Sequence, residues 1–163
     1  MRVGMVAGEA SGDLLAAHLI AALKARRRGM LFAGIGGPRM INEGFESLYP
    51  MEKLSVRGYA EVLRNYAEIM GIRRRLAKTL IAERPELFIG VDSGDFNLGL
   101  ERRLKEAGIP TIHYVSPSVW AWRGWRVKRI ARSVNRILVM FPFEAPLYEK
   151  AGVPVTYVGH PLA

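Results

Sequence analysis

A carboxylate that ends a β-strand, followed within five residues by a second acid and an amide, is placed to move a proton. The segment GVDSGDFN (90–97) has that form. Asp92 falls at the strand's carboxyl end, where a general base can take a proton from a substrate hydroxyl. The same residues also suit an N-cap, for which Asp95 or Asn97 is better placed, or a hard-cation site. The loop holds no third carboxylate or histidine, which argues against a metal. A second segment, AGEASGD (7–13), carries Gly8 and Gly12 for close backbone approach, and Ser11 or Asp13 to cap the next helix. Amides at that helix start can receive phosphate or sugar oxygens. The segment is neither the dinucleotide fingerprint nor a Walker loop. Glu9 and Asp13 would oppose a pyrophosphate, so a hydroxyl-rich ligand fits better, and a capped turn without ligand accounts for the same residues. In GIGGPRM (34–40), Arg39 offers a fork to an anion, while a tight turn explains the glycines equally well. A fourth segment, SPSVWAWRGWRVKR (116–129), holds all three tryptophans, Trp120, Trp122 and Trp125, among Arg123, Arg126, Lys128 and Arg129. It suits a nucleic-acid stacking platform, a membrane-interface anchor, the wall of a site for an amphipathic substrate, or hydrophobes that pin the next helix to its sheet.

These segments need strands to end where they begin. Nearly continuous apolar runs predict strands at 2–7, 31–35, 87–91, 111–115, 136–140 and 155–159, as expected of strands covered on both faces. Helical patterns lie at 13–27, 59–83, 98–107, 124–133 and 143–151, several ending at glycine or proline. The alternation predicts an α/β fold with a doubly wound, mostly parallel, Rossmann-like sheet. Ligands of such sheets bind at the carboxyl ends of the strands, which puts all four segments on one rim. The 59–83 helix, with a break expected near Gly71, gathers Val62, Leu63, Tyr66, Ile69 and Met70 on one face. Arg64, Arg73, Arg74, Arg75 and Lys78 flank that face. Packing on the sheet and resting on an anionic membrane both explain the stripe.

The 163 residues suit a single domain with its own core, and half of them are hydrophobic. Twenty-four Lys and Arg against fifteen Asp and Glu give a net charge of +9, which favours anionic partners. There is no cysteine, so disulfides and thiolate metal sites are excluded. The first residues lack a signal peptide's apolar core and no run reaches the length of a membrane span. A cytoplasmic protein is expected.

Taken together, VAGEASGD, GIGGPRM, MEKLSVRGYAEVL, GVDSGDFN, HYVSPSVWAWR, FPFE and GHPL resemble, in order and spacing, the lipid-A-disaccharide synthase family. These are bacterial inverting glycosyltransferases of the GT-B fold, with two Rossmann domains. The resemblance implies that residues 1–163 form the acceptor-binding N-terminal domain and that the nucleotide-binding domain lies outside them. The polypeptide alone is then expected to be inactive. The implied reaction joins UDP-2,3-diacylglucosamine to 2,3-diacylglucosamine 1-phosphate as a β(1→6) disaccharide, without metal or other cofactor, on the cytoplasmic face of the inner membrane. A homodimer of the full-length protein is compatible with it. Asp92 matches the first aspartate of the family's D-x-x-D-F-N motif and is implied as base towards the acceptor's 6-hydroxyl. Glu9, Ser11, Gly12, Asn97, Ser116, Ser118 and Trp120 match positions implied to line or position the substrate. Val62, Leu63, Tyr66, Ile69, Met70, Arg73 and Arg74 are the expected membrane contacts. Ser93-Gly94 stands where the family more often has Ala-Pro, which implies a looser loop around Asp92. Two rival classes are disfavoured. A nucleic-acid-binding module would need a longer aromatic series than one loop broken by Ala121 and Gly124, and an NAD-dependent oxidoreductase would need the dinucleotide fingerprint.

Overall fold

The computed structural model describes residues 1–55, 58–117 and 125–161, apart from the side chains of Tyr59, Val62 and Trp125. The chain runs β1 (Arg2–Ala7), α1 (Ala10–Arg26), β2 (Leu31–Gly36), α2 (Pro38–Asn42), β3 (Glu46–Pro50), α3 (Tyr59–Glu83), β4 (Leu87–Val91), α4 (Gly94–Glu106), β5 (Thr111–Tyr114), α5 (Trp125–Ser133), β6 (Arg136–Val139), α6 (Ala145–Lys150) and β7 (Val155–Tyr157). Short 3₁₀ turns precede α3 and α6. Every strand pair is parallel, and the order is β3-β2-β1-β4-β5-β6-β7.

Alternation along the strands explains the two covering layers. Val3, Met5 and Ala7 of β1, with Ile89 and Val91 of β4, pack against Ala16, Ala17 and Ile20 of α1. Val6 and Phe88 point the other way, onto Ile72, Leu76 and Leu80 of α3 and Leu100 and Leu104 of α4. A third cluster joins Leu98, Val127, Ile130, Ile137, Val139 and Tyr148. Both faces are dry, so the strands read as unbroken apolar runs.

Several boundaries differ from the sequence expectation. Among the described residues the sheet has seven strands, because Glu46–Pro50 forms an edge strand whose side chains alternate between exposed and half-buried. An edge strand needs no apolar run, and this one ends in Pro50, which is tolerated there. The five-residue helix Pro38–Asn42 was likewise unforeseen. Helices α1 and α4 begin three and four residues earlier than their apolar periods suggest, at Ala10 and Gly94. Helix α3 runs unbroken through Gly71, as its neighbours Ile72 and Leu76 are held in the core on either side of a full turn.

Candidate active site

The sheet order reverses between β1 and β4, so their carboxyl ends diverge into helices on opposite sides and leave a crevice. Ala7 pairs with Val91 across that junction, which sets the loop after β1 beside Asp92. Asp92 and Ser93 both adopt left-handed backbone, with φ of 53° and 48°. Such conformations cost about 1–2 kcal/mol per non-glycine residue and persist where the surroundings impose them. Here the Asp92 amide donates to the Tyr114 carbonyl at 2.9 Å, and the Asp92 carbonyl accepts from Asn97 Nδ2 at 2.9 Å. The looser loop expected from Ser93-Gly94 is therefore fastened on both sides of Asp92. Gly8 closes against it from β1, where a Cβ would stand 2.4 Å from Ser93 Oγ. A larger residue at Gly8 would force the Ser93 hydroxyl to move.

Around this junction Glu9 and Ser11 are exposed, and Asp92 is half-buried. Gly12 is buried, its Cα side facing the Val91 carbonyl at the end of β4. Helices α1 and α4 start from the two loops that meet at Gly8 and Ser93, and helix N-termini favour a ligand carrying negative charge or many oxygens. Ser116 lies on the same rim at the end of β5. Its hydroxyl contacts Tyr148 Oη at 2.5 Å and donates to the Pro117 carbonyl at 2.9 Å. Burial pushes the Tyr148 phenol up to about 12, against the opposing effect of the Ser116 hydrogen bond. Ser118 and Trp120 lie outside the described residues, as does the Trp125 side chain.

Two residues take positions the sequence did not predict. Neither Ser11 nor Asp13 caps α1, whose N-cap position is Glu9 with no side-chain cap bond. Asp13 is buried and caps α2 instead, accepting from the amides of Gly37 (3.0 Å), Arg39 (3.1 Å) and Met40 (3.0 Å). Asn97, fully buried, neither caps α4 nor faces the crevice. Its Nδ2 spans the carbonyls of Val6 (3.2 Å), Val91 (3.4 Å) and Asp92, tying β1 to β4 beneath the site.

Helix α3 divides into an exposed length and a packed one. Leu63 and Tyr66 are exposed at 75% and 58%, large for apolar side chains. Ile69 and Met70 are half-buried, and Ile69 already packs on the core. Arg74 is exposed, whereas Arg73 turns onto α4 and donates to the Asp95 carbonyl at 3.3 Å. Burial there lowers the Arg73 guanidinium below its ordinary value, with Arg129 and Arg103 adding to the effect. The Val62 side chain is not among those described.

Sequence reasoning passed over one buried polar pair. His113 Nδ1 of β5 and Glu101 Oε1 of α4 are 2.7 Å apart and both side chains are wholly inaccessible. The signals were there: a glutamate on the apolar face of α4, between Leu98 and Leu104, and a histidine inside an apolar strand. Among the described residues no group of three His, Asp or Glu side chains is arranged to hold a metal ion.

This fold, with its crevice at the strand reversal, recurs in solved glycosyltransferases. A UGT of Glycyrrhiza uralensis complexed with glycyrrhetinic acid 3-O-monoglucuronide superposes with a TM-score of 0.64 at 11% identity, covering 97% of this chain and 48% of that one. A transferase from Siraitia grosvenorii in complex with UDP gives 0.58 at 12% identity, covering 97% and 50%. The architecture is thus one Rossmann-like half of the GT-B glycosyltransferase fold.

Within that class the family is specific. The model described as lipid-A-disaccharide synthetase matches residues 3–163. Lipid-A-disaccharide synthases of Chromobacterium violaceum and Dechloromonas aromatica are each 66% identical over 163 residues, and that of Azoarcus sp. is 64% identical over 162. The chain belongs to the lipid-A-disaccharide synthetase family. It spans 42% of the length of the Chromobacterium relative and 43% of the Dechloromonas one. Neither the nucleic-acid nor the oxidoreductase reading gains support from these relatives.

Proposed function

We propose that this chain is the acceptor-binding half of a transferase that joins two acylated glucosamines into the lipid A disaccharide. The observation that carries the reading is Asp92, held at the strand reversal of a GT-B half-fold beside the exposed Glu9 and Ser11. The Asp92 carboxylate takes the proton of the acceptor's 6-hydroxyl while that oxygen attacks the donor's anomeric carbon. UDP leaves with the bonding electrons, and attack from the face opposite UDP inverts the anomeric centre. Glu9, Ser11 and Gly12 line the acceptor side, and Ser116, Ser118 and Trp120 close the rim beyond Asp92. Asn97 serves by positioning. The UDP moiety is held by the part of the relatives that this chain does not cover, so residues 1–163 alone give no turnover. No metal or cofactor enters the scheme.

The product and both substrates carry acyl chains, which suits a cytoplasmic enzyme resting on the inner membrane. The +9 charge and the exposed Leu63 and Tyr66 support that placement. The test is a hybrid in which this chain replaces the matching N-terminal part of the Chromobacterium enzyme. Mixed with UDP-2,3-diacylglucosamine and 2,3-diacylglucosamine 1-phosphate, it should release UDP and form the disaccharide. A folded hybrid that forms none contradicts the proposal.

A further inference from the structure

Directly beneath Asp92 lies a polar group that the proposed chemistry does not use. Glu101 and His113 form their 2.7 Å contact with no solvent exposure. Burying two ionisable groups costs several kcal/mol unless each stabilises the other, so such a pair is not placed idly. The fold also makes room for it. His113 is the register partner of Gly90, and a Cβ on Gly90 would stand 1.9 Å from Glu101 Oε1 and 3.1 Å from Asn97 Cγ. Gly90 lies two residues before Asp92 on the same strand. Asn97, one helical turn before Glu101 on α4, holds the Asp92 carbonyl itself. The Asp92 amide hangs from Tyr114, the residue after His113.

We propose that Glu101 and His113 are positioning residues for Asp92, forming a buried couple that fixes the floor under its turn and sets one shared proton close to its carboxylate. The couple acts in two ways. Glu101 anchors the first turns of α4, from which Asn97 holds the left-handed Asp92-Ser93 turn. The protonated imidazole then supplies a positive charge that acts on the base from within the protein. Burial opposes charge on both partners, and each counters it for the other, so the couple keeps one proton above the ordinary histidine range. Asp92 adds to that hold on the His113 proton. The ionisable side chains acting on the ring are thus Glu101 from α4 and Asp92 from the β4–α4 turn.

The inference rests on Asp92 being the base, but its test does not need turnover. The probe variant is Asp92→Asn, which leaves the buried couple whole and suits left-handed backbone. Ring ¹⁵N and ¹³C resonances of His113 are followed against pH in the 163-residue chain. The titration midpoint should fall by roughly half a pH unit or more in the variant, and further in Glu101→Gln. An unchanged midpoint in Asp92→Asn, or a ring that is neutral throughout, overturns the proposal. In the hybrid enzyme, His113→Gln should lower kcat with acceptor KM held, and should cause little further loss in the Asp92→Asn background. Full additivity of the two losses would mean that His113 acts independently of Asp92, and would also overturn it.

Discussion

Asp13 shows how one side chain can hold an element distant in sequence. Its carboxylate leaves α1 and accepts from three amides at the start of α2, those of Gly37, Arg39 and Met40, twenty-four to twenty-seven residues away. Asp13→Ala would leave these amides without a partner at a buried site. We expect a loss of about 3 kcal/mol, read from urea denaturation, with Asp13→Asn recovering part of it. The Glu101–His113 couple gives a pH dependence whose sign follows from its shifts. Both folded-state values are raised, so the native chain keeps protons that the unfolded chain releases. The stability this supplies is present in full only below the ordinary glutamate value of 4.5, and is lost as pH rises through the folded values. Unfolding free energy should therefore decline above that value, and go on declining above the ordinary histidine value of 6.5. That slope should flatten in a Glu101→Gln, His113→Gln double variant, and an unchanged slope would contradict the assignment. The position of Asp92 at the end of β4 was legible in the sequence because a carboxylate closing an apolar run is a local pattern. Asp13 and Asn97 were misplaced because their partners lie on other strands and helices, which spacing along the chain does not reveal.

At the scale of elements, the fit between β4 and α4 decides whether the site exists. A Cβ at Gly90 would overlap the Glu101 carboxylate, so Gly90→Ala must displace Glu101 or the strand. A destabilisation of roughly 1–3 kcal/mol is expected, with perturbed amide shifts at Asp92 and Asn97. Tolerance of alanine without either change would mean that the close approach is not maintained in solution. Helix α3 poses a different question, since it spans about 37 Å and, among its described side chains, those of the later turns enter the core. Replacing Leu63 and Tyr66 by serine removes exposed apolar surface without touching that core. The pair should weaken binding to vesicles of anionic phospholipid several-fold while leaving the thermal midpoint in place. Unaltered binding would remove this end of α3 from the membrane proposal. The apolar stripe was legible, but whether it faced sheet or surface was not. Periodicity gives a face, and only the assembled sheet shows where that face runs out of partners. For the same reason β3 escaped notice, as an edge strand is defined by its neighbour rather than by its own composition.

For the molecule as a whole, the order β3-β2-β1-β4-β5-β6-β7 turns loops scattered over the chain into one rim. Parallel alternation made that much predictable, because right-handed crossovers leave few other ways to cover such a sheet. It does not dictate which loops meet at the reversal, a matter of strand order. The fold alone leaves chemistry open, and the proposal of sugar transfer stands on family membership together with the placement of Asp92. The most direct test is therefore kcat of the hybrid enzyme with Asp92 and with Asp92→Asn, at matched folding by circular dichroism. The account predicts a fall of roughly 10²–10⁴-fold, with acceptor KM changed by no more than about two-fold. Turnover that survives the substitution at its original rate would contradict it.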